Sequence, residues 1–169
     1  MKYFLILAFA LSFIIPVKAQ EQTKPSTTTY YLIRHAEKDR SDTTNKNPNL
    51  NDAGTKRAEN WSKVFEHIDF DAVYSTKYYR TYETANPTAK TKGLEIQFYD
   101  PRQLYSEEFA EETYGKTVLV VGHSNTTPAF VNAILGEKKY ENINDNDNSY
   151  LFIVTISEGH KIDQVLKIN

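Results

Sequence analysis

Tyr30-Tyr31-Leu32-Ile33-Arg34-His35-Ala36-Glu37-Lys38 decides the reading of this chain. An apolar run leads straight into a cation and an imidazole. A buried strand delivers side chains this way at its C-terminal end, the edge where open α/β sheets bind ligands. The dipeptide Arg34-His35 is weak by itself, because any strand can end in a charge. Two later stretches give it weight. Ser75-Thr76-Lys77-Tyr78-Tyr79-Arg80-Thr81-Tyr82-Glu83-Thr84-Ala85 supplies Arg80 after the short apolar run Ala72-Val73-Tyr74. Val118-Leu119-Val120-Val121-Gly122-His123-Ser124-Asn125-Thr126 supplies His123 after a third run. Two arginines and two histidines, each just past a strand, have the charge and placement to converge on one bound phosphate.

The surrounding pattern alternates strand with helix. Thr29–Ile33 is β-branched and aromatic, a first strand. Residues 38–49 lack periodicity and are rich in Asn, Asp and Thr, so they form a loop. Asn51 or Asp52 caps a helix in which Ala58, Trp61, Phe65 and Ile68 share one face. Tyr78 to about Ala89 is helical, with Pro87 expected to kink or stop it. Leu94–Tyr99 is a third strand, Ser106–Tyr114 a short acidic helix, and Thr117–Val121 the strongest strand. Residues 125–135 are helical, with Pro128 tolerated in the first turn. Residues 141–148 form a solvated loop. Tyr150–Ile156 and Ile162–Ile168 are final strands joined through Ser157-Glu158-Gly159-His160, a hairpin connection. This order predicts an α/β fold with a mainly parallel sheet covered on both faces.

Composition sets limits. Residues 1–19 have a positive Lys2, an apolar run from Tyr3 to Ile15 and a small residue, Ala19, at the end, the form of a secretory signal peptide. The run is short for a membrane span. Residues 20–28 are polar and are expected to be a linker, leaving 29–169 as one domain. The expected destination is outside the cytoplasm, periplasmic or secreted, with no stable membrane association after cleavage. There is no cysteine, so no disulfide supports the fold there. Without residues 1–19, 18 basic side chains face 22 acidic ones, a formal charge of −4. That is no nucleic-acid-binding profile, and attraction for an anionic ligand must be local.

Leu32-Ile33-Arg34-His35-Ala36-Glu37 resembles the signature of the histidine phosphatase (phosphoglycerate mutase-like) superfamily, with Ala36 where that signature has glycine. Leu50-Asn51-Asp52-Ala53-Gly54 resembles the family's Leu-Thr-x-x-Gly segment. The Arg80 and His123 stretches resemble its second arginine and second histidine blocks. These matches occur in family order. The resemblance implies a three-layer α/β/α sandwich and a small phosphatase acting on a phosphomonoester or phosphoramidate, presented by a small molecule or a phosphorylated protein. It implies that His35 is the nucleophile and forms phosphohistidine. Arg34, Arg80 and a protonated His123 would hold the phosphoryl oxygens, and the helix beginning near Asn125 would add amide donors. No cofactor or metal is implied. Mutase activity is less expected, since this short chain has little sequence for a lid that would retain an intermediate.

The proton donor is less clear from the residues. The family branch with an aspartate directly after the second histidine does not fit, because Ser124 stands there. Asp100, directly after Ile96-Gln97-Phe98-Tyr99, is the first candidate, and Glu107 and Glu108 are alternatives. Acids at those two positions also suit a helix N-terminus for structural reasons alone. Some small members of the family lack the acid and act on good leaving groups such as phosphohistidine. Two rivals remain: a non-catalytic phosphate-binding module on the same fold, and a metal hydrolase using His35, His123 and Asp100. The second lacks paired-ligand spacing.

Overall fold

The computed structural model describes residues 26–169. The signal segment and most of the linker therefore lie outside the described residues. A six-stranded sheet runs in the order β3-β2-β4-β1-β5-β6. Its strands are β1 (Thr28–Arg34), β2 (Ala72–Ser75), β3 (Ile96–Phe98), β4 (Thr117–Gly122), β5 (Tyr150–Ser157) and β6 (His160–Lys167). The helices are α1 (Asp52–Val64), α2 (Tyr79–Lys92), α3 (Glu107–Glu112) and α4 (Thr126–Leu135). β1, β2, β3 and β4 are mutually parallel, while β5 and β6 run antiparallel. This is the mainly parallel α/β/α sandwich that the alternation of patterns predicted.

Alternate residues of the central strands feed two cores, as the twofold period of a strand requires. On one face Ile33, Val73, Leu119 and Val121 meet Trp61 and Phe65 of α1 and its following turn, and Ala85 and Ala89 of α2. On the other, Tyr30, Leu32, Val118 and Val120 meet Phe109 of α3 and Phe130, Val131 and Ile134 of α4. β1 and β4 are covered on both sides, which is why they read as continuous apolar runs.

Several boundaries differ from the sequence reading, each for a local reason. β1 takes in Thr28, the last residue assigned to the linker. α2 runs through Pro87 and stops only at Gly93, whose φ of 66° is the left-handed C-cap. Proline therefore neither stops this helix nor sets its end. β3 is three residues long rather than six, because only Ile96–Phe98 pair with β2. In the last hairpin both Glu158 (φ 52°) and Gly159 (φ 79°) are left-handed, the backbone of a tight two-residue connection.

Candidate active site

β1, β2 and β4 end side by side, with Arg34 opposite Gly122 in the parallel register. The chain then turns outward at three points, and these turns build one open cleft of about 420 Å³. His35, Lys38, Tyr78, Arg80, His123, Asn125 and Asp145 are among the residues that line it. The imidazoles of His35 and His123 lie 5.5 Å apart, ring centre to ring centre.

His35 is held at three points. Its backbone N–H donates to Gly122 O at 2.9 Å, and its carbonyl accepts from Asn148 Nδ2 at 2.7 Å. Its Nδ1 lies 2.7 Å from Ala36 O. A carbonyl only accepts, so Nδ1 carries the proton and the lone pair is on Nε2. The ring is 4% exposed. Burial, with Arg34, His123 and Arg80 adding to it, lowers its pKa to about 3. The side chain is a neutral imidazole fixed in one tautomer, the state a nitrogen nucleophile needs.

Arg34 is 1% exposed. Its Nη1 donates to Asn144 O (2.8 Å) and Asp147 O (3.1 Å), and its Nη2 to Asp145 O (3.1 Å) and Asp145 Oδ1 (2.7 Å). Its Nε is buried with no hydrogen-bond partner, as are Nε and Nη1 of Arg80. Leaving such donors unpaired costs about 1–3 kcal/mol each or more for charged groups; Arg80 lines the cleft, whereas Arg34 lies behind it and is not among the lining residues. Arg80 leans on the Tyr78 ring, 4.5 Å from its centre. Thr84 ties that helical turn to the strand end: its Oγ1 accepts from Ala36 N at 2.9 Å and donates to Arg80 O at 2.6 Å.

His123 lines the same cleft. Its Nδ1 faces Arg80 Nη2 at 3.4 Å, and a guanidinium only donates. Its Nε2 lies 2.9 Å from Thr76 Oγ1, which joins Thr81 Oγ1 at 2.9 Å. Burial and then Arg80, Arg34 and Lys38 lower its pKa to about 4. At neutral pH this favours the uncharged imidazole, and the positive charge rests on the arginines. An arriving dianion would favour its protonated form.

Asp100, the first candidate for the proton donor, lies elsewhere. It does not line the cleft with His35. Its carboxylate clamps Arg102 at 2.6 Å and accepts from the Arg102 backbone at 2.9 Å. Those bonds hold its pKa below the usual carboxylate range. It faces a separate hollow of about 210 Å³ with Glu108 and Glu112, and that hollow contains neither histidine. Glu107 and Glu108 sit in the first turn of α3, whose N-cap is Ser106. Asn125 lines the cleft at the start of α4 and makes no side-chain cap. Gly122 is required by crowding, since a Cβ there would lie 2.8 Å from Thr127 Oγ1 and 2.9 Å from the Tyr99 hydroxyl.

Asn148, Thr76 and Asp145 are site residues that the pattern did not single out. Among the described residues, no group of three His, Asp or Glu side chains could hold a metal ion.

The two histidines make stability depend on pH. Both folded pKa values lie below the ordinary 6.5. Their contribution is complete above about pH 7 and is lost as pH falls from 6.5 toward about 4 for His123 and about 3 for His35, because the unfolded chain binds the protons more readily. For His35 the loss at pH 5 is about 2 kcal/mol, and for the partly exposed His123 it is smaller. Urea midpoints at pH 7.5 and pH 5 should therefore differ in the wild type and converge in a His35→Gln, His123→Gln double variant. Equal midpoints in the wild type would mean that neither histidine is held neutral.

Fold and cleft together define a class: an α/β sandwich with a neutral imidazole and two buried guanidinium groups at the carboxyl edge of its parallel strands. Residues 30–101 match the model of the histidine phosphatase superfamily (branch 1). No curated protein matches the chain. Among solved structures it is similar to the protein histidine phosphatase SixA complexed with tungstate, at 15% identity and a TM-score of 0.66, covering 82% of this chain and 96% of that one. It is also similar to the alpha-ribazole phosphatase from Shigella flexneri (14% identity, TM-score 0.64, 83% and 96% covered). A mutant phosphoserine phosphatase from Entamoeba histolytica in complex with phosphoserine shares the fold as well (14% identity, TM-score 0.61, 81% and 95% covered). At these identities the likeness establishes the fold.

Proposed function

We propose that this chain is an exported, metal-independent phosphatase of the histidine phosphatase superfamily, hydrolysing a phosphomonoester or phosphoramidate through a phosphohistidine on His35. The observation that carries this reading is the Nδ1 bond from His35 to Ala36 O, which turns a neutral Nε2 lone pair toward a cleft lined by cationic donors. A mere binder needs the cations but not a fixed nucleophile.

Chemistry follows from the geometry. The phosphoryl oxygens take the unpaired N–H groups of Arg34 and Arg80, which stabilise charge where it builds up. His35 Nε2 attacks phosphorus from the cleft floor and the ester oxygen departs toward the mouth. The positive charge on the imidazole is carried by its Nδ1–H against Ala36 O. Water then displaces the phosphoryl group, and Nε2 regains its lone pair. His123, neutral before the anion arrives, gains a proton as the dianion settles beside it. Asn125 and Thr126, at the start of α4, line the same space, where the helix N-terminus would favour an anion.

The test uses protein recovered from outside the cytoplasm, with its N-terminus sequenced and expected near Gln20. After exhaustive chelation it should release phosphate from 4-nitrophenyl phosphate at the untreated rate. Vanadate binding without turnover would favour the binding module. Activity lost to chelator and restored by a divalent ion would favour the metal hydrolase.

A further inference from the structure

We propose that Asp145, in the loop between α4 and β5, is the proton donor to the leaving group. This rests on the phosphatase reading and supplies the step that Asp100 is not placed to perform. His35 lies at the cleft floor, 4% exposed, whereas the Asp145 side chain is 61% exposed at the rim. In-line displacement puts the leaving oxygen opposite the attacking nitrogen, and so at the mouth. Among the residues lining the cleft with both histidines, Asp145 is the carboxylate. It also lines the adjoining hollow of about 190 Å³ with His35, Lys38 and Asn148, so it borders the reaction space from two sides.

The loop is anchored rather than free. Three of its carbonyls, those of Asn144, Asp145 and Asp147, accept from Arg34, and Ile143 N donates to Ser124 O at 2.8 Å. Asp145 Oδ1 binds Arg34 at 2.7 Å, while Oδ2 meets only the exposed Arg40 at 3.2 Å. Oδ2 is thus the oxygen able to carry a proton. The charged groups facing this carboxyl are Arg34, Arg40, Lys38 and Arg80; against the opposing effect of burial, Arg34, Arg40 and Lys38 lower its pKa and favour the ionised form. A phosphate dianion bound to the Nε of Arg34 places negative charge beside the carboxylate, and like charges at one site raise a carboxyl pKa.

The proton balance closes. On binding of the dianion the Asp145 carboxylate takes up a proton from solvent. As the P–O ester bond breaks and the P–Nε2 bond forms, that proton moves to the leaving oxygen and the alcohol departs. In the second step the Asp145 carboxylate takes a proton from the attacking water as the P–Nε2 bond breaks, and when phosphate leaves the carboxyl gives that proton back to solvent.

Asp145→Asn keeps the shape and still accepts from Arg34 but cannot donate an acid proton. kcat/KM for phenyl phosphate should fall about 100-fold or more, and for 4-nitrophenyl phosphate only a few-fold, the signature of a lost general acid. The basic limb of the phenyl phosphate pH profile should vanish with it. Arg40→Gln removes a cation from the carboxylate, so in that variant the same limb should move to higher pH. Equal loss on both substrates, no loss on either, or a limb unmoved in Arg40→Gln would overturn the assignment. Wild-type protein that turns over neither substrate would instead defeat the phosphatase reading itself.

Discussion

His35→Ala is expected to abolish turnover, lowering kcat by four orders of magnitude or more on the order seen when a nucleophile is removed, while inorganic phosphate still binds. The two effects separate because different groups carry them. On the proposed reading binding would rest on Arg34, whose guanidinium is held by the carbonyls of Asn144, Asp145 and Asp147, and on Arg80, whose guanidinium lies over the Tyr78 ring and whose backbone carbonyl accepts from Thr84; none of these contacts passes through the His35 imidazole. Bond formation would rest on Nε2 alone. Arg80→Ala should behave differently, weakening phosphate binding and turnover together, since its charge acts in both the ground and transition states. Rapid-quench labelling with a radiolabelled phosphomonoester, then peptide mapping, reads the intermediate directly. Label should sit on His35 and be released by acid but not by base, as a phosphoramidate is. Label on another side chain, or wild-type turnover in His35→Ala, would end the phosphohistidine mechanism.

Much of this was legible because it is local. Arg34, His35 and His123 were visible in the sequence because a strand must carry its terminal residues to the sheet edge, and parallel strands bring those edges together; Arg80 reaches the same edge from the first turn of α2. Asp100 shows the limit of that rule. It follows a strand as they do, yet Arg102 two residues on captures its carboxylate and turns it aside. Strand position places a Cα, whereas the direction of the side chain depends on which partner is nearest.

The 141–148 loop failed in the opposite sense. Its run of Asn and Asp has the composition of a solvated loop, and most of it is exposed. Nothing local announces that Arg34, more than 100 residues earlier, collects its carbonyls, or that Asn148 supports the His35 carbonyl. A buried cation must find oxygen partners, and a sequence shows the demand without showing the supplier. The charge state of His123 is likewise not a local property: burial first, and then two arginines and a lysine brought together from distant parts of the chain, lower its pKa.

Gly54→Ala should destabilise the fold by about 3 kcal/mol and lower Tm by roughly 10 °C, against the usual direction for such a change. Gly54 lies within α1, where replacing glycine by alanine ordinarily gains close to 1 kcal/mol. Here the added Cβ would stand 2.0 Å from Glu37 O and 2.9 Å from Glu37 C. These are backbone atoms, so no rotamer change relieves the clash. Glu37 is also pinned, its carbonyl accepting from Asn51 N at 3.0 Å and its carboxylate from Arg57 Nε at 2.8 Å. The helix must retreat or the chain just after His35 must shift, and Ala36 O, which holds the His35 ring, moves with that chain. Turnover should therefore fall further than the loss of folded protein accounts for. Thermal unfolding and kcat of the variant, beside the exposed helix control Thr55→Ala, give the sign. A Gly54→Ala protein as stable as the wild type would show that α1 does not press on the Glu37 backbone, and that the Leu50–Gly54 segment owes its glycine to something other than close approach.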